Sequence, residues 1–254
     1  MTNSQKISAE TKTESRACDR HGDYEAVLVE VMGRWMGGKC PTCIEAEQSE
    51  LERMEREAKA AHRRERIKQI SESAGIPRRF RDKTLAGYQA SNQGQKRALK
   101  IAQRMAESEP DAGTSLVFCG KPGTGKTHLA CGIANSWLAE CRPAIFATVL
   151  SAVRSIKATY SRESETTEDR AISRLTGIDL LIMDEVGVQL GTEHEKMLLF
   201  EVINERYQQM RATILISNLT QTELSNYLGD RVMDRFRECG AVVAFDWDSH
   251  RGSK

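Results

Sequence analysis

The stretch SLVFCGKPGTGKTHLACGIA, residues 115–134, decides the fold. It opens as a short apolar strand, breaks at glycine and continues in residues that suit a helix. Between the two, Gly120-Lys121-Pro122-Gly123-Thr124-Gly125-Lys126-Thr127 fits G-x-x-x-x-G-K-[ST] at every fixed position, in the strand-to-helix setting the motif requires. The glycines let the backbone wrap phosphate oxygens with N–H groups, and the helix N-terminus adds partial positive charge. Lys126 is expected to reach the β- and γ-phosphates of ATP, and the Thr127 hydroxyl to hold Mg²⁺. His128, next in the helix, completes the expected cradle.

Working outward, four more apolar runs follow the same rhythm: AIFATV (144–149), IDLLIM (178–183), ATILIS (212–217) and AVVAF (241–245). Helical patterns at 126–140, 150–161, 193–210 and 220–238 separate them. Continuous apolar strands alternating with helices predict a five-stranded parallel sheet covered on both faces, an α/β fold. Ahead of it lies a bridging segment, FRDKTLAGY (80–88), and a helical QKRALKIAQRMAES (95–108).

A nucleotide site needs an acid at the tip of a nearby strand. IDLLIMDE supplies Asp184, which would bind Mg²⁺ through water, and Glu185, which would orient and polarise an attacking water. A glutamate there argues for hydrolysis of ATP to ADP and phosphate rather than transfer to a small acceptor. Asn218 ends the fourth strand, where ligands bind in open α/β sheets. Its amide suits a water or a γ-phosphate oxygen, or it caps the next helix. LGDRVMDRFRE (228–238) then sets Arg231, Arg235 and Arg237 on a short helix seated by Val232, Met233 and Phe236. Alone it reads as a solvated helix. Beside a phosphate site its guanidinium groups gain a target, the charge that develops on a transferring phosphoryl. Because the helix follows the fourth strand, donation to a neighbouring subunit is the favoured reading.

The first 16 residues are polar and read as a disordered tail. Residues 17–44 hold Cys18-Asp-Arg-His21 and Cys40-Pro-Thr-Cys43, a C-x₂-H…C-x₂-C arrangement. Four N/S ligands in two close pairs suit a closed tetrahedral Zn²⁺ site, with a hairpin turning near Met32-Gly33 between them. So short a module could hardly fold without metal. Residues 45–74 have strong helix formers but little apolar content, so they read as a long exposed helix of mixed charge. Residues 75–254 read as the ATPase domain. Cys119, Cys131, Cys141 and Cys239 lack comparable pairing and read as core residues.

The formal net charge of +1 says nothing about partners. No run approaches the roughly 18 apolar residues of a membrane span. The N-terminus lacks the apolar core of a secretory signal, and cysteine pairing by metal fits a reducing compartment. The expectation is a cytoplasmic protein with no membrane partner.

GKPGTGKTHLA, LLIMDEVGVQ, SNLTQTEL, LGDRVMDRFR and FDWDSHR together resemble the DnaC family of bacterial and phage replicative-helicase loaders, which are AAA+ ATPases. The resemblance spans roughly residues 75–251. It implies nucleotide binding by Lys126 and Thr127, hydrolysis through Asp184 and Glu185, and a sensor role for Asn218. It further implies a trans-acting finger at Arg235, with Arg231 its less certain neighbour, and a second sensor at Arg251. With three residues after Arg251, no helical lid is expected. The implied partners are a hexameric DnaB-type helicase, single-stranded DNA, and further copies of the chain in an open ring or spiral. Some similar loaders carry an N-terminal zinc module that engages the helicase. The segment VLSAVRSIKATYSR (149–162), with Arg154, Lys157 and Tyr160, suits the DNA path of such loaders or an ordinary solvated helix. Two other functions stay open: a transposition-associated ATPase regulator with a similar P-loop region, and a zinc-dependent nucleic-acid adaptor.

Overall fold

The computed structural model describes residues 10–161, 163–188 and 193–250. The chain divides into two compact units, Met1–Arg64 and Glu65–Lys254. In the first, strands β1 (Thr11–Cys18), β2 (Gly22–Val31) and β3 (Arg34–Gly37) form an antiparallel sheet in that order. The β2–β3 turn falls at Met32 (φ 51°) and Gly33 (φ 75°), both left-handed, as a tight hairpin requires. Ala26, Leu28 and Cys40 are its buried apolar residues. The reading of residues 1–16 as a disordered tail is corrected here. Residues 11–16 belong to β1, registered on β2 from Thr11↔Val29 to Cys18↔Gly22. Residues Thr11 to Ala17 are all exposed, so no apolar alternation announces the strand, and its backbone ladder to β2 holds it. Residues 1–9 lie outside the described residues.

Helix α1 runs from Pro41 to Ser73 without burying a residue. Proline suits a first helical position, which is why α1 begins before the predicted 45. Local ion pairs line it: Arg53 with Glu50 and Glu57, Arg56 with Glu52, and Lys59 with Glu55. Exposed pairs of this kind add only a few tenths of a kcal/mol each. Gly75, at φ 70°, follows its end.

The second unit holds β4 (Ser115–Gly120), β5 (Ala144–Thr148), β6 (Leu180–Asp184), β7 (Ala212–Ile216) and β8 (Gly240–Phe245). All pair parallel, in the order β5-β6-β7-β4-β8. Alternate residues face opposite layers, as the two-residue strand period demands. Leu116, Phe118, Leu180, Ile182 and Ile214 join one core with α2 (Gln93–Ala106) and α3 (Lys126–Ala139). Val117, Cys119, Leu181, Met183 and Leu215 join the other. That second layer contains α4 (Val149–Lys157), α5 (Glu168–Thr176), α6 (Glu193–Gln208), α7 (Gln221–Leu228) and α8 (Asp230–Glu238).

Two elements differ from the sequence reading. The pattern at 220–238 is two helices, broken at Gly229 with φ 80°. Helix α5 carried no strong signal, because a nine-residue helix buries only Ile172, Leu175 and Thr176. Among the described residues, no helix is long and apolar enough to cross a membrane.

Arg206, fully buried on α6, ties the lower edges of β6 and β7 together. It donates to the carbonyls of Leu175, Thr176, Ile178, Asp179 and Ala212 and to the Thr213 hydroxyl, over 2.5–3.2 Å. Burial pushes its guanidinium down to about 9, which still leaves it charged at neutral pH. Arg206→Met keeps the length but strands those carbonyls in a dry interior. We expect a loss of about 3–5 kcal/mol and a melting midpoint lower by roughly 10 °C. A calorimetric midpoint within a degree or two of wild type would show that the carbonyls find other donors.

Candidate functional site

Strand β4 ends at Gly120 (φ 116°), where a Cβ would meet the Phe245 carbonyl at 2.5 Å. The loop that follows closes on Gly125 (φ 98°), where a Cβ would strike the Tyr88 ring at 2.7 Å. Only glycine fits either place. Helix α3 starts directly after it, so its free N–H groups face the loop. The Lys126 ammonium lies 2.6 Å from the carbonyls of both Gly120 and Lys121, and the Thr124 hydroxyl donates to Lys121 at 2.8 Å.

The carbonyls of Gly123 and Thr124 are bonded from outside the loop. The His250 N–H reaches Gly123 at 3.0 Å. The Trp247 indole N–H and the Tyr88 hydroxyl converge on Thr124 at 2.9 and 3.3 Å. The sequence reading missed Tyr88 and Trp247. Tyr88 closes FRDKTLAGY and Trp247 stands in FDWDSHR, two residues past β8; only Trp247 offered a signal, an aromatic donor just outside a strand. His128, expected in the cradle, turns its ring to the Thr84 carbonyl at 3.1 Å and packs edge-on against Tyr88. Burial pushes its pKa down.

Strand order decides what faces this loop. With β7 between β4 and β6, the ends of three strands stand in a row. Hydrogen bonds continue the ladder past the strands: Gly120 N–H to Leu219, Ser217 N–H to Phe118, and Val186 N–H to Ile216. Asp184 at the tip of β6 accepts from the Thr127 hydroxyl at 3.2 Å, joining the two predicted metal-binding side chains. It also accepts from the Glu185 N–H at 2.7 Å. Burial raises the Asp184 pKa, and these two donors oppose the rise. Glu185 is exposed with φ 62°, a strained conformation for a side chain of this size. Asn218 is exposed in the middle of the row. Thr220, not Asn218, caps α7 through a capping box with Glu223, so the alternative role for Asn218 falls away.

The arginine helix stands elsewhere. Val232, Met233 and Phe236 seat α8 as expected. Arg235 hydrogen-bonds Asn204 and lies 4.8 Å over the Tyr207 ring, whose hydroxyl donates to Glu238 at 2.7 Å. It lines a hollow with Ser115 and Thr213, residues at the starts of β4 and β7. At about 3.3 Å per residue, the length of β4 puts it on the order of 16 Å from its own P-loop. Arg231 is exposed, and Arg237 pairs with Asp234. Arg251 lies outside the described residues. On α4 and the turn after it, Lys157 pairs with Glu195 and Tyr160 donates to Glu168, while Arg154 is exposed.

In the first unit, Cys18, His21, Cys40 and Cys43 gather with all four ligand atoms within 4.8 Å of one another. His21 Nδ1 is 3.7, 3.7 and 3.3 Å from the sulfurs of Cys18, Cys40 and Cys43, and the Cys18 and Cys43 sulfurs are 3.6 Å apart. Zn–S bonds near 2.3 Å and Zn–N bonds near 2.0 Å make tetrahedral edges of roughly 3.5–3.8 Å. Four of the six edges lie close to that range, and the donor set of three thiols and an imidazole suits zinc. The Arg20 N–H, then His21, hold the Cys18 thiol down to about 6, and the shared hydrogen bond with Cys18 leads the rise at Cys43 to about 11.

A parallel sheet with one strand inserted between the P-loop strand and the acidic strand is the arrangement of AAA+ P-loop proteins, and this unit has it. Comparison with known proteins agrees. The crystal structure of a DnaC helicase loader superimposes with a TM-score of 0.60 at 21% identity, over 67% of this chain and 100% of that one. The replicative helicase loader DnaC of Buchnera aphidicola subsp. Schizaphis graminum is 33% identical over 187 residues, 73% of this chain and 76% of its own. DnaC of Escherichia coli K12 is 35% identical over 179 residues, 70% and 73% of the two chains. Residues 44–252 match the family of IstB-like ATP binding proteins, and the chain belongs to it.

Two outcomes follow. Trp247→Phe keeps the ring and removes the donor to Thr124, so ATP affinity should fall roughly threefold to tenfold in a fluorescent-nucleotide titration. Tyr88→Phe, which loses a longer bond, should cost less, and unchanged affinity in the double variant would mean the loop holds its own shape. Metal analysis of the purified chain should return about one zinc per molecule, lost in Cys40→Ser/Cys43→Ser; a zinc-free wild type with an intact sheet would exclude the site.

Proposed function

We propose that this chain loads a hexameric replicative helicase onto single-stranded DNA and times that step by binding and hydrolysing ATP. The observation that carries it is the likeness to DnaC loaders at 33–35% identity over some three quarters of both chains, joined to a P-loop whose Thr127 hydroxyl meets Asp184. A transposition-associated regulator would carry a similar P-loop, but relatives at this identity in Buchnera aphidicola and Escherichia coli are named as replicative helicase loaders, beside one whose name gives no function. An adaptor with a dead nucleotide switch would not need Lys126, Thr127, Asp184 and Glu185 all in place.

In this reading the loop N–H groups and Lys126 bind the ATP phosphates, and Thr127 with Asp184 would hold Mg²⁺. The metal would supply charge neutralisation at the phosphate oxygens. Glu185 orients and polarises the attacking water from its exposed place beyond β6, and Asn218 holds that water or a γ-phosphate oxygen. Arg235, distant from its own P-loop, acts in the site of an adjacent copy, so turnover requires loaders side by side in a ring or spiral. Arg251 is assigned the second sensor. The residue 17–44 module, closed by zinc, docks on the helicase, with α1 as its tether.

Capture of a hexameric helicase by the purified chain is the deciding test, and failure to retain any would remove the loader reading. Lys126→Ala should lose ATP binding, whereas Glu185→Gln should bind ATP and turn over at least about 100-fold more slowly. Arg235→Ala should bind ATP normally yet lose stimulated turnover by about 1,000-fold. Mixed with Lys126→Ala, it should recover part of the activity neither has alone. No recovery in confirmed mixed assemblies would place Arg235 within its own chain.

A further inference from the structure

Helix α2 carries Lys96, Arg97, Lys100 and Arg104 and no acidic residue from Gln93 to Ala106. Its apolar face is spent on the core through Ala98, Ala102 and Met105. That burial turns Lys96, Lys100 and Arg104 outward at i, i+4 and i+8, a single row with about 6 Å between neighbours. All are exposed, as is Arg97, and among the described residues none of the four makes an ion pair. The first acid, Glu107, comes only at the C-cap.

Several cations on other helices are neutralised, although among the described residues Arg66 and Lys68 of α1, Arg154 of α4 and Arg170 and Arg174 of α5 also make no ion pair. Arg53, Arg56 and Lys59 of α1, Lys196 of α6 and Arg237 of α8 each meet an acid three or four residues away. Lys157 of α4 meets Glu195 of α6. Like charges four apart on a helix repel, so a row of one sign is relieved when a polyanion lies along it. A helix that lies on a membrane offers an exposed apolar face beside its basic one; here the apolar face is buried.

We propose that the Lys96–Lys100–Arg104 row, flanked by Arg97, is a docking surface for the phosphate backbone of single-stranded DNA. The choice of DNA over another polyanion rests on the loader reading above. The first turn of α2, on its buried face, also reaches the phosphate loop through one residue. A Cβ on Gly94, in the first turn of α2, would touch the Trp247 ring at 3.0 Å, and the same indole donates to the P-loop carbonyl of Thr124. Helix α2 is thus one side chain from the phosphate loop, on the face opposite the basic row.

The test uses the full chain and a fluorescein-labelled oligothymidylate, with anisotropy read from low to moderate salt. Lys100→Glu/Arg104→Glu should weaken binding more than tenfold and flatten the log–log salt slope by about 1.4, two phosphate contacts at about 0.7 each. Lys100→Gln/Arg104→Gln should fall between, which separates charge from fold. ATP affinity and unstimulated turnover should stay at wild-type values, while DNA stimulation of turnover is lost. Wild-type affinity and slope in the charge-reversed chain would overturn the proposal. So would loss of helicase capture with DNA binding intact, which would make the row a protein-docking face. A wild type that retains no helicase but shows the slope difference would end the loader reading and leave this surface standing.

Discussion

A loop that binds phosphate through its N–H groups must turn its carbonyls the other way, and each of those carbonyls needs a donor. This requirement organises the second unit. Gly120 and Lys121 give their carbonyls to Lys126 and Thr124, which belong to the loop itself. Gly123 and Thr124 are served from residues 88, 247 and 250, far away in sequence on both sides. The bridging segment and the chain after β8 are therefore parts of the phosphate site, although neither carries a phosphate-binding motif. Their docking on α3 and β8 also explains why Tyr88, Phe245 and Trp247 sit in or against the same core.

The second constraint is strand order. Inserting β7 between β4 and β6 holds Asp184 within hydrogen-bond reach of Thr127 and leaves Asn218 between them, at the ends where parallel strands leave loops free. The same sheet separates functions. Its upper edge carries the nucleotide residues, and its lower edge carries Arg206, Arg235 and the hollow between Ser115 and Thr213. The length of β4 separates Arg235 from its own loop, which is the distance on which the proposed action in a neighbouring copy rests.

The first unit is stabilised differently. Its sheet buries little beyond Ala26, Leu28 and Cys40, too small a core to hold three strands by hydrophobic burial alone. The cysteine–histidine cluster brings the β1–β2 turn to the start of α1, where a bound metal would close that gap. Helix α1, in turn, owes nothing to a core and persists through local ion pairs and good helix formers.

The sequence by itself determined whatever depends on neighbours along the chain. The P-loop, the five apolar runs, the acidic pair after β6, the spacing of Cys18, His21, Cys40 and Cys43, the turn at Met32-Gly33 and the exposed character of α1 were legible because short-range geometry and periodicity specify them. The polar strand β1 was not, since a strand with every side chain but one in water leaves no alternation to read. Nor was the break at Gly229, because apolar positions on both sides keep a helical period. What only the tertiary structure decided were relations between distant residues: β7 placed between β4 and β6, Tyr88 and Trp247 meeting at one carbonyl, His128 turned to Thr84, and Arg235 at the far edge of its own sheet. The reason is physical. These arrangements are set by which strand pairs with which and by which carbonyl lacks a donor once the sheet has formed, and neither quantity exists until the chain is folded.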